Sequence, residues 1–270
     1  MAITNFIQTV WSEKLLSELG ARYVGAKNCN REFEGDIKSV GDKVKICGIG
    51  AVNVFDYTKN ADMSAPETLN DTCATLEINR AKAFNFQIDD VDLAQSSPKL
   101  MSAAMANAAN ALANEADSYI FSLYGEAGSK IEGSATVENI IDLLIDARTK
   151  LAEANADTNC EIVAEVSPKV ASLILKSKIN LATSNTEALG AGYIGSVAGC
   201  KVYVTNNVKS VDGAHQCYVR TKRAIAYAEQ LSEVHAYRPE LRFADAVKGL
   251  HLYGAKVIYP AELVVLSVTV

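Results

Sequence analysis

Several features that would point directly to a function are missing from this sequence. It has no run of 18 apolar residues, which is what a helix needs to cross a membrane. Acidic residues outnumber basic ones, 32 to 26, and the net charge is −6, so the clustered positive charge of a nucleic-acid-binding domain is not expected. The first 16 residues lack a basic segment, and Glu13 and Lys14 interrupt their apolar stretch, so they do not resemble a secretion signal.

Cysteine and histidine are present but are not arranged as a metal or redox site. The six cysteines are scattered, with no C-x-x-C pair and no nearby histidine at the spacing of zinc ligands. Without a secretion signal, we expect buried or reduced thiols rather than a disulfide framework. We predict no cofactor and no bound metal. The cysteines are Cys29, Cys47, Cys73, Cys160, Cys200 and Cys217.

Two other groups of residues allow a chemical interpretation, and each also has a simpler one. His215 and Cys217 share one face of a predicted strand and could form the pair of a Cys/His hydrolase, but no oxyanion-hole signature accompanies them. Ordinary strand residues are therefore favoured. Asp89, Asp90 and Asp92 could bind a cation, yet they lack the glycine and distal glutamate of a calcium loop. Interaction with the dipole of the following helix is favoured instead.

The segment Gly190–Gly195 matches the pattern G-x-G-x-x-G. A dinucleotide site needs this motif between a strand and a helix, so that the pyrophosphate meets the helix N-terminus. Here a polar stretch precedes the motif and a predicted strand follows it. We expect a loop with positive φ angles and no nucleotide binding.

The most prominent feature that is present is a long helix predicted over residues 98–124. Ser97 suits the N-cap, Pro98 suits the first helical position, and Gly125 can end the helix. Apolar residues recur at steps of three and four, and alanine is frequent. A continuous helix of this length would measure about 40 Å. We expect Leu112 to be buried at its centre.

Residues 42–91 favour an extended β-hairpin. Alternating apolar residues predict one strand that reaches Tyr57 and a second over 76–88, separated by the polar segment 59–67. An isolated hairpin is only marginally stable in water, so it must pack on something else. The sequence is compatible with two packing partners for the hairpin: a neighbouring subunit, or the 96–125 helix of the same chain.

The rest of the chain predicts an α+β fold in which one unit is inserted into another. Residues 134–220 combine amphipathic helices with short strands and form a compact α/β unit. Residues 221–270 return to extended structure, so the compact unit separates an early half from a late half. Residues 1–41 predict a short helix that ends at Gly20, followed by an arm that crosses a surface.

Several sequence segments, taken in order, resemble the major capsid protein of tailed bacteriophages, whose fold is shared with encapsulins and herpesvirus capsid proteins. The resemblance extends over essentially the whole chain, and it rests on order and spacing because none of the segments is a catalytic motif. In chain order they read NFIQTVWSEKLLSEL, GDIKSVGDKVKI, FNFQIDDVDLAQSSPKLM, EVSPKVASLILKS, GYIGSVAGCKVYVTNNV and FADAVKGLHLYGAKVIYP.

The resemblance implies a specific division of the chain. Residues 1–41 would be an N-terminal arm and residues 42–91 an extended loop. A peripheral domain would combine 92–133 with 221–270 and would contain a spine helix over 98–124. An inserted axial domain would occupy 134–220.

The resemblance also implies a function. The chain would self-assemble as hexamers and pentamers into an icosahedral shell around double-stranded DNA, without sequence-specific DNA binding and without enzyme activity. Portal, scaffolding and decoration proteins would be partners, and assembly into the virion capsid would occur in the cytoplasm of a bacterial host. An encapsulin-like nanocompartment is the alternative with the same fold. The side chains expected at contacts between subunits are Trp11, Phe55, Tyr57, Lys59, Phe84 and Phe86.

Overall fold

A computed structural model describes residues 15, 18–20, 22–34, 42–49, 56, 59, 71–90, 100–156, 160–177 and 193–270. Its strands are β1 (Lys43–Ile49), β2 (Asp71–Glu77), β3 (Arg80–Asp89), β4 (Ser129–Ser134), β5 (Ile162–Val166), β6 (Tyr193–Val197), β7 (Cys200–Val204), β8 (Ser210–Val211), β9 (Ala214–Thr221), β10 (Ile225–Tyr237), β11 (Ala244–Val257) and β12 (Leu263–Thr269). Its α-helices are α1 (Leu100–Phe121), α2 (Ile140–Glu153) and α3 (Pro168–Lys176), and short 3-10 helices occupy Ala26–Asn28, Ser122–Glu126 and Pro260–Glu262.

The larger sheet has seven strands in the order β4-β12-β9-β5-β7-β6, with the short β8 paired to β9. β4 is parallel to β12 and β5 is parallel to β7, whereas the other neighbours are antiparallel. Helix α2 packs against β9 and β12 and also contacts α3. Helix α3 begins where Ser167 accepts a hydrogen bond from the Val170 amide and Pro168 takes the first helical position.

The smaller sheet has three antiparallel strands in the order β10-β11-β3. Helix α1 covers one face of this sheet through contacts with β3 and β11. The other face carries Ala83 and Asn85, which are exposed, and Leu250 and Tyr237, each 37% exposed. This outer face is therefore only partly covered by the described part of the chain.

Helix α1 is 22 residues long, or about 33 Å at 1.5 Å per residue. Leu112 is only 4% exposed, which confirms its expected burial. The α-helix ends at Phe121 and a 3-10 helix carries the chain on through Gly125 to Glu126, so the end is three residues earlier than predicted. The predicted cap at Ser97 and Pro98 lies outside the described residues.

The predicted second strand of the hairpin is in fact two strands in two sheets. β2 pairs with β1, but after Asn79 the chain continues as β3, which pairs with β11. Leu76 and Ile78 are fully buried in a small apolar cluster with residues of β10 and β11. Alternation of apolar residues reports which face of a strand is buried, but not which strand supplies its hydrogen bonds. The described base of the hairpin thus packs on its own chain, chiefly on β10 and β11.

The last strand ends the chain in a sheet, as the sequence predicts. β12 lies between β4 and β9 in the seven-stranded sheet, whereas the resemblance groups residues 221–270 with the peripheral domain. Every residue from Leu263 to Val268 is buried. An unbroken apolar run is typical of a central strand covered on both faces, and this position satisfies that requirement.

Candidate assembly site

The centre of the molecule is a buried ion pair that holds the N-terminal segment. The side chains of Arg220 on β9 and Glu165 on β5 are 0% exposed and are joined by two hydrogen bonds of 2.9 Å. The Arg220 guanidinium also donates to the backbone carbonyls of Asn28 and Gly25, at 2.7 and 3.1 Å. Burial disfavours the charged guanidinium, but the neighbouring Cys29 and Glu165 raise the pKa of Arg220 above its ordinary value. Arg220 is therefore a permanent cation on which the N-terminal segment is held.

Asp117 of helix α1 holds the same segment from the other side. Its carboxylate accepts hydrogen bonds from the backbone amides of Val24 and Ala26, both at 2.9 Å. A side chain at Gly25 would meet Asp117 and Phe121 at 3.1 and 3.2 Å, so glycine permits this close approach. Burial raises the pKa of Asp117 from 3.8 to about 6, although the amides act in the opposite direction.

A third carboxylate, Glu229 on β10, whose side chain is 9% exposed, ties the segment to the three-stranded sheet. Glu229 accepts hydrogen bonds from the Tyr23 and Tyr227 hydroxyls, pairs with Arg31, and receives a 2.9 Å hydrogen bond from His251 Nε2. Burial would raise the pKa of Glu229, but His251, Arg31 and Tyr23 together hold it below its ordinary value. Arg31 also stacks over the Tyr23 and Tyr227 rings, about 6 Å from each centroid.

These contacts correct the expectation that residues 21–41 form an arm crossing a surface. The part from Tyr23 to Arg31, which we call the N-terminal anchor, is held between the two sheets and helix α1. Tyr23, Ala26, Asn28 and Cys29 are buried in it. The anchor can be buried because Asp117 and Arg220 satisfy its backbone groups, while Glu229 satisfies the side chains of Tyr23 and Arg31.

Among the residues that the structure describes, the most exposed large apolar side chains lie at the turn between β10 and β11. Leu241 is 98% exposed and Phe243 is 85% exposed, and both belong to the tip formed by residues 238–243. Arg238 at the start of this tip pairs with Asp90 and Asp245. The tip is therefore tied to the end of β3. Its two apolar side chains, Leu241 and Phe243, lie in solvent and not in the core.

A concavity of about 460 Å³ lies on the outer face of the three-stranded sheet, beyond this tip. Its wall includes Ala83, Phe84, Asn85, His235, Lys248, Gly249 and Leu250. Lys248 lies 5.3 Å from the centroid of the Tyr237 ring on the same strand pair. The tip and this face together expose several large apolar side chains, among them Leu241, Phe243 and Leu250.

The predicted contact residues are only partly visible. Phe84 and Phe86 are half-buried, stack with ring centroids 6.0 Å apart and pack against the core, and the Phe84 ring lies directly over Gly249. Lys59 is exposed in a turn. Trp11, Phe55 and Tyr57 lie outside the described residues. The described chain thus does not bring the six residues together, and their role between subunits stays a prediction.

The alternative of a Cys/His hydrolase has no support in the geometry. Cys217 is fully buried, and burial raises the pKa of its thiol to about 12, so the thiolate that a nucleophile needs does not form. Burial and the nearby Lys169 lower the pKa of His215. Neither residue has the surroundings of a catalytic pair.

In the part of the chain that the structure describes, neither the aspartate cluster nor the glycine motif forms a binding site. Asp90 pairs with Arg238, whereas Asp92 and the N-terminus of the long helix fall outside it. Among the described residues, no group of three or more potential ligands could hold a metal, and no helix is long and apolar enough to span a membrane. In the glycine motif, Gly195 has a φ of 139° and lies in strand β6, while residues 190–192 are not described.

Sequence inspection missed the residues that organise this region. A signal was present: Glu165 and Arg220 each interrupt an apolar strand with a charge. Two opposite charges in otherwise buried strands indicate a buried pair. Asp117 and Glu229 carried no comparable signal, because each lies in a segment that also has exposed polar positions.

The fold has counterparts among solved viral shells. It is similar to the capsid of Ralstonia phage GP4, with a TM-score of 0.68, 10% identity and coverage of 92% of this chain and 89% of that one. It is also similar to a virus-like particle from Pyrococcus furiosus, with a TM-score of 0.61, 13% identity and coverage of 99% and 100%. At these identities the similarity shows the fold alone.

A closer relationship connects the chain to a solved structure of Mycobacterium phage Che8. The sequence identity is 30%, the TM-score is 0.71, and 91% of each chain is covered. The chain belongs to the family of tailed-bacteriophage major capsid proteins. No model of a known protein family matches the sequence, and no curated protein does.

Membership in this family confirms the predicted resemblance and the predicted role. A major capsid protein is a structural protein that associates with copies of itself and forms the icosahedral shell of a bacteriophage virion. The exposed tip and the outer sheet face are therefore candidate contacts between copies, rather than parts of an enzyme site.

Proposed function

We propose that this capsid protein assembles as hexamers and pentamers into a shell that encloses double-stranded DNA. The observation that carries the proposal is the tip at residues 238–243, where Leu241 and Phe243 extend into solvent in the single chain. Large apolar side chains that cluster on a surface mark interaction sites. Burying each of them against another copy would contribute roughly 1.5–3 kcal/mol.

The tip cannot supply a permanent interface by itself. Obligate interfaces bury about 2,000–5,000 Å² in total, so further surfaces must contribute. The outer face of the three-stranded sheet, with Leu250 and Tyr237 partly exposed, adjoins the tip and is the natural extension of it. The hairpin of residues 42–91 would supply a third contact by reaching a neighbouring subunit.

The proposed division of the chain follows from the sheets with one change. Residues 1–41 remain the proposed N-terminal arm, anchored at Tyr23–Arg31, and residues 42–91 the proposed loop. Residues 92–128 with 221–262 form the proposed peripheral domain, in which α1 is the spine helix. Residues 134–220 form the proposed axial domain, to which we add β4 and β12 because β12 pairs with both β4 and β9.

The shell would hold its DNA by enclosure. The net charge of −6 gives no basic lining that would bind phosphates along its surface. Portal, scaffolding and decoration proteins are the proposed partners, and assembly in the cytoplasm of the bacterial host is the proposed setting. An encapsulin-like compartment is the second candidate, favoured by the match to the Pyrococcus furiosus particle. Purified particles that contain protein cargo instead of long DNA would support the second candidate.

The tip can be tested with a double substitution, Leu241→Ser with Phe243→Ser. Because both side chains are exposed, the stability of the free subunit should change by under about 0.5 kcal/mol. Shell formation, followed by sedimentation and negative-stain microscopy, should be lost or strongly slowed. Leu175→Ser is a matched control, since Leu175 is 56% exposed on helix α3, away from the tip. Normal shells from the double variant would refute the role of the tip.

The hairpin is tested by replacing Lys59–Glu67 with a two-residue Asn-Gly turn, which closes a hairpin readily. If the hairpin reaches a neighbouring subunit, circular dichroism should stay nearly unchanged while shells become fragile or form slowly. Trp11, Phe55, Tyr57 and Lys59 remain proposed contacts in this scheme. A collapsed fold would instead show that the segment stabilises its own subunit, and fully stable shells would show that it makes no contact between subunits.

A further inference from the structure

The ladder between β1 and β2 places two cysteines directly opposite each other. Its antiparallel register is unbroken from Lys43 to Ile49, and Cys47 pairs with Cys73. Just below the ladder, the amide of Ile78 donates to the carbonyl of Asp42 at 3.1 Å, which makes these two residues a hydrogen-bonded pair. Hydrogen-bonded and non-hydrogen-bonded pairs alternate along antiparallel strands. Position 47 is an odd number of steps from position 42, so the cysteines form a non-hydrogen-bonded pair.

This kind of pair has the spacing that a disulfide needs. Opposite residues in non-hydrogen-bonded pairs have Cα atoms about 4.5 Å apart, closer than in hydrogen-bonded pairs. Disulfides usually join residues whose Cα atoms are about 4.4–6.8 Å apart. The backbone register therefore brings Cys47 and Cys73 within bridging distance without any change of strand pairing.

Cys73 lies on the solvent-facing side of the ladder, and Cys47 is its register partner. Lys43 and Glu77 form another pair on the same face, and both are exposed, with a 3.5 Å ion pair between them. Cys73 is exposed as well. The opposite face contains Val44 and Leu76, which pack toward β10 and β11. Small reagents in solvent can therefore reach Cys73.

We propose that Cys47 and Cys73 are a redox-dependent modification site, at which an intrachain disulfide closes the base of the hairpin. The oxidant is a low-molecular-weight disulfide of the glutathione class. One cysteine thiolate attacks this disulfide and expels one small thiolate, and the second cysteine thiolate then displaces the other. The two cysteines together lose two electrons and two protons, and the two small thiolates take up the protons.

The bridge would connect the two strands at the point where the hairpin leaves the described ladder. Only the time at which the disulfide forms rests on the proposed function: a shell assembled in a reducing cytoplasm meets an oxidising medium on release.

Other cysteines are poorly suited to the same reaction. Burial raises the pKa of the Cys29 thiol to about 12 and that of Cys200 to about 11, so little thiolate is available at either.

The test uses the purified full-length chain in buffers of increasing oxidised-to-reduced glutathione ratio. After alkylation, intact mass and peptide mapping should show the loss of two hydrogen atoms and a single peptide linked through Cys47 and Cys73, reversed by dithiothreitol. Cys47→Ser and Cys73→Ser should each abolish the linked peptide. Cys160→Ser, the matched control at a half-exposed cysteine outside the ladder, should retain it.

Two results would overturn the proposal. One is that Cys47 and Cys73 both remain open to alkylation under conditions that convert Cys160 into a mixed disulfide. The other is that the linked peptide joins two different chains, which a non-reducing gel would reveal as a covalent dimer. Shell formation is measured separately by microscopy, so a failure to assemble would count against the proposed function while leaving the disulfide result intact.

Discussion

The two main sheets of this protein contrast in how completely the chain covers them. In the seven-stranded sheet, the central strand β12 is buried at every residue from Leu263 to Val268. In the three-stranded sheet, strand β3 has only one buried residue, Ile88, between Arg80 and Asp89. The hydrophobic core runs through both units, but the edge strand β3 leaves part of the second sheet open for contacts outside the chain. In a shell protein, we expect the open sheet to be the side on which copies meet.

Both units nevertheless hold the N-terminal anchor by the same kind of interaction. Arg220 binds it on the side of the seven-stranded sheet, and Glu229 binds it on the side of the three-stranded sheet. Each is a buried charge with several hydrogen bonds, and such groups are costly to leave unpaired. The anchor thus joins the seven-stranded sheet to the more open three-stranded sheet.

The largest effect is expected for Arg220→Met. This change leaves the Glu165 carboxylate buried without its partner and removes the donors to two carbonyls of the anchor. We expect a loss of about 3–5 kcal/mol in the free energy of unfolding, measured by denaturant titration. Lys222→Met is the control, because Lys222 pairs with Glu161 while 43% exposed, and exposed pairs contribute about 0–1 kcal/mol. Equal losses in the two variants would contradict the assigned role.

The contrast in coverage is tested by two matched leucine substitutions. Leu266→Ala in β12 removes a side chain that is 1% exposed and should cost about 2–5 kcal/mol. Leu250→Ala in β11 removes one that is 37% exposed, and we expect about 0.5–1 kcal/mol. For both variants, the measured quantity is the change in the free energy of unfolding of the unassembled subunit. A cost at Leu250 as large as that at Leu266 would mean that the outer face is already covered within the chain.

Asp117→Asn should change both stability and its dependence on pH. Because burial raises the pKa of Asp117 to about 6, the folded chain binds the proton more tightly than the unfolded chain does. This group therefore makes stability fall as pH rises from about 4 to about 6. The asparagine variant should lose that slope, and it should cost about 1–3 kcal/mol because its amide nitrogen cannot accept from the anchor. Thermal unfolding between pH 4 and 7 measures both, and identical slopes in the two proteins would rule out the effect.

The smallest effect is expected for Lys82→Met. Lys82 on β3 pairs with Glu115 on helix α1 at 2.7 Å, but the two side chains are 45% and 55% exposed. We expect a change of under about 1 kcal/mol, which should shrink further at high salt because exposed charges are screened. A large loss that persists in salt would show that the open sheet also depends on buried charge.

Local sequence patterns predicted several individual elements well. The helix opening at Ser167 and Pro168, and the burial of Leu112 in a long helix, follow from capping chemistry and apolar spacing within one segment. Strand pairing was harder to predict, since the second hairpin strand is divided and its later part, β3, pairs with β11. The proposed contact residues could be examined only at Lys59, Phe84 and Phe86, so the contact surface as a whole remains a prediction.

Features that depend on near neighbours in the chain could be derived from the amino-acid pattern alone, and so could the resemblance to phage capsid proteins. An apolar spacing marks one face of a helix or strand whatever that face later contacts. Only the tertiary structure decided that Arg220 meets Glu165 and that the anchor is buried rather than spread over a surface. The reason is that a buried charge is stable only when its partners converge on it. That convergence is a property of the assembled fold, because the carbonyl of Asn28 and the guanidinium of Arg220 are separated by 192 residues along the chain.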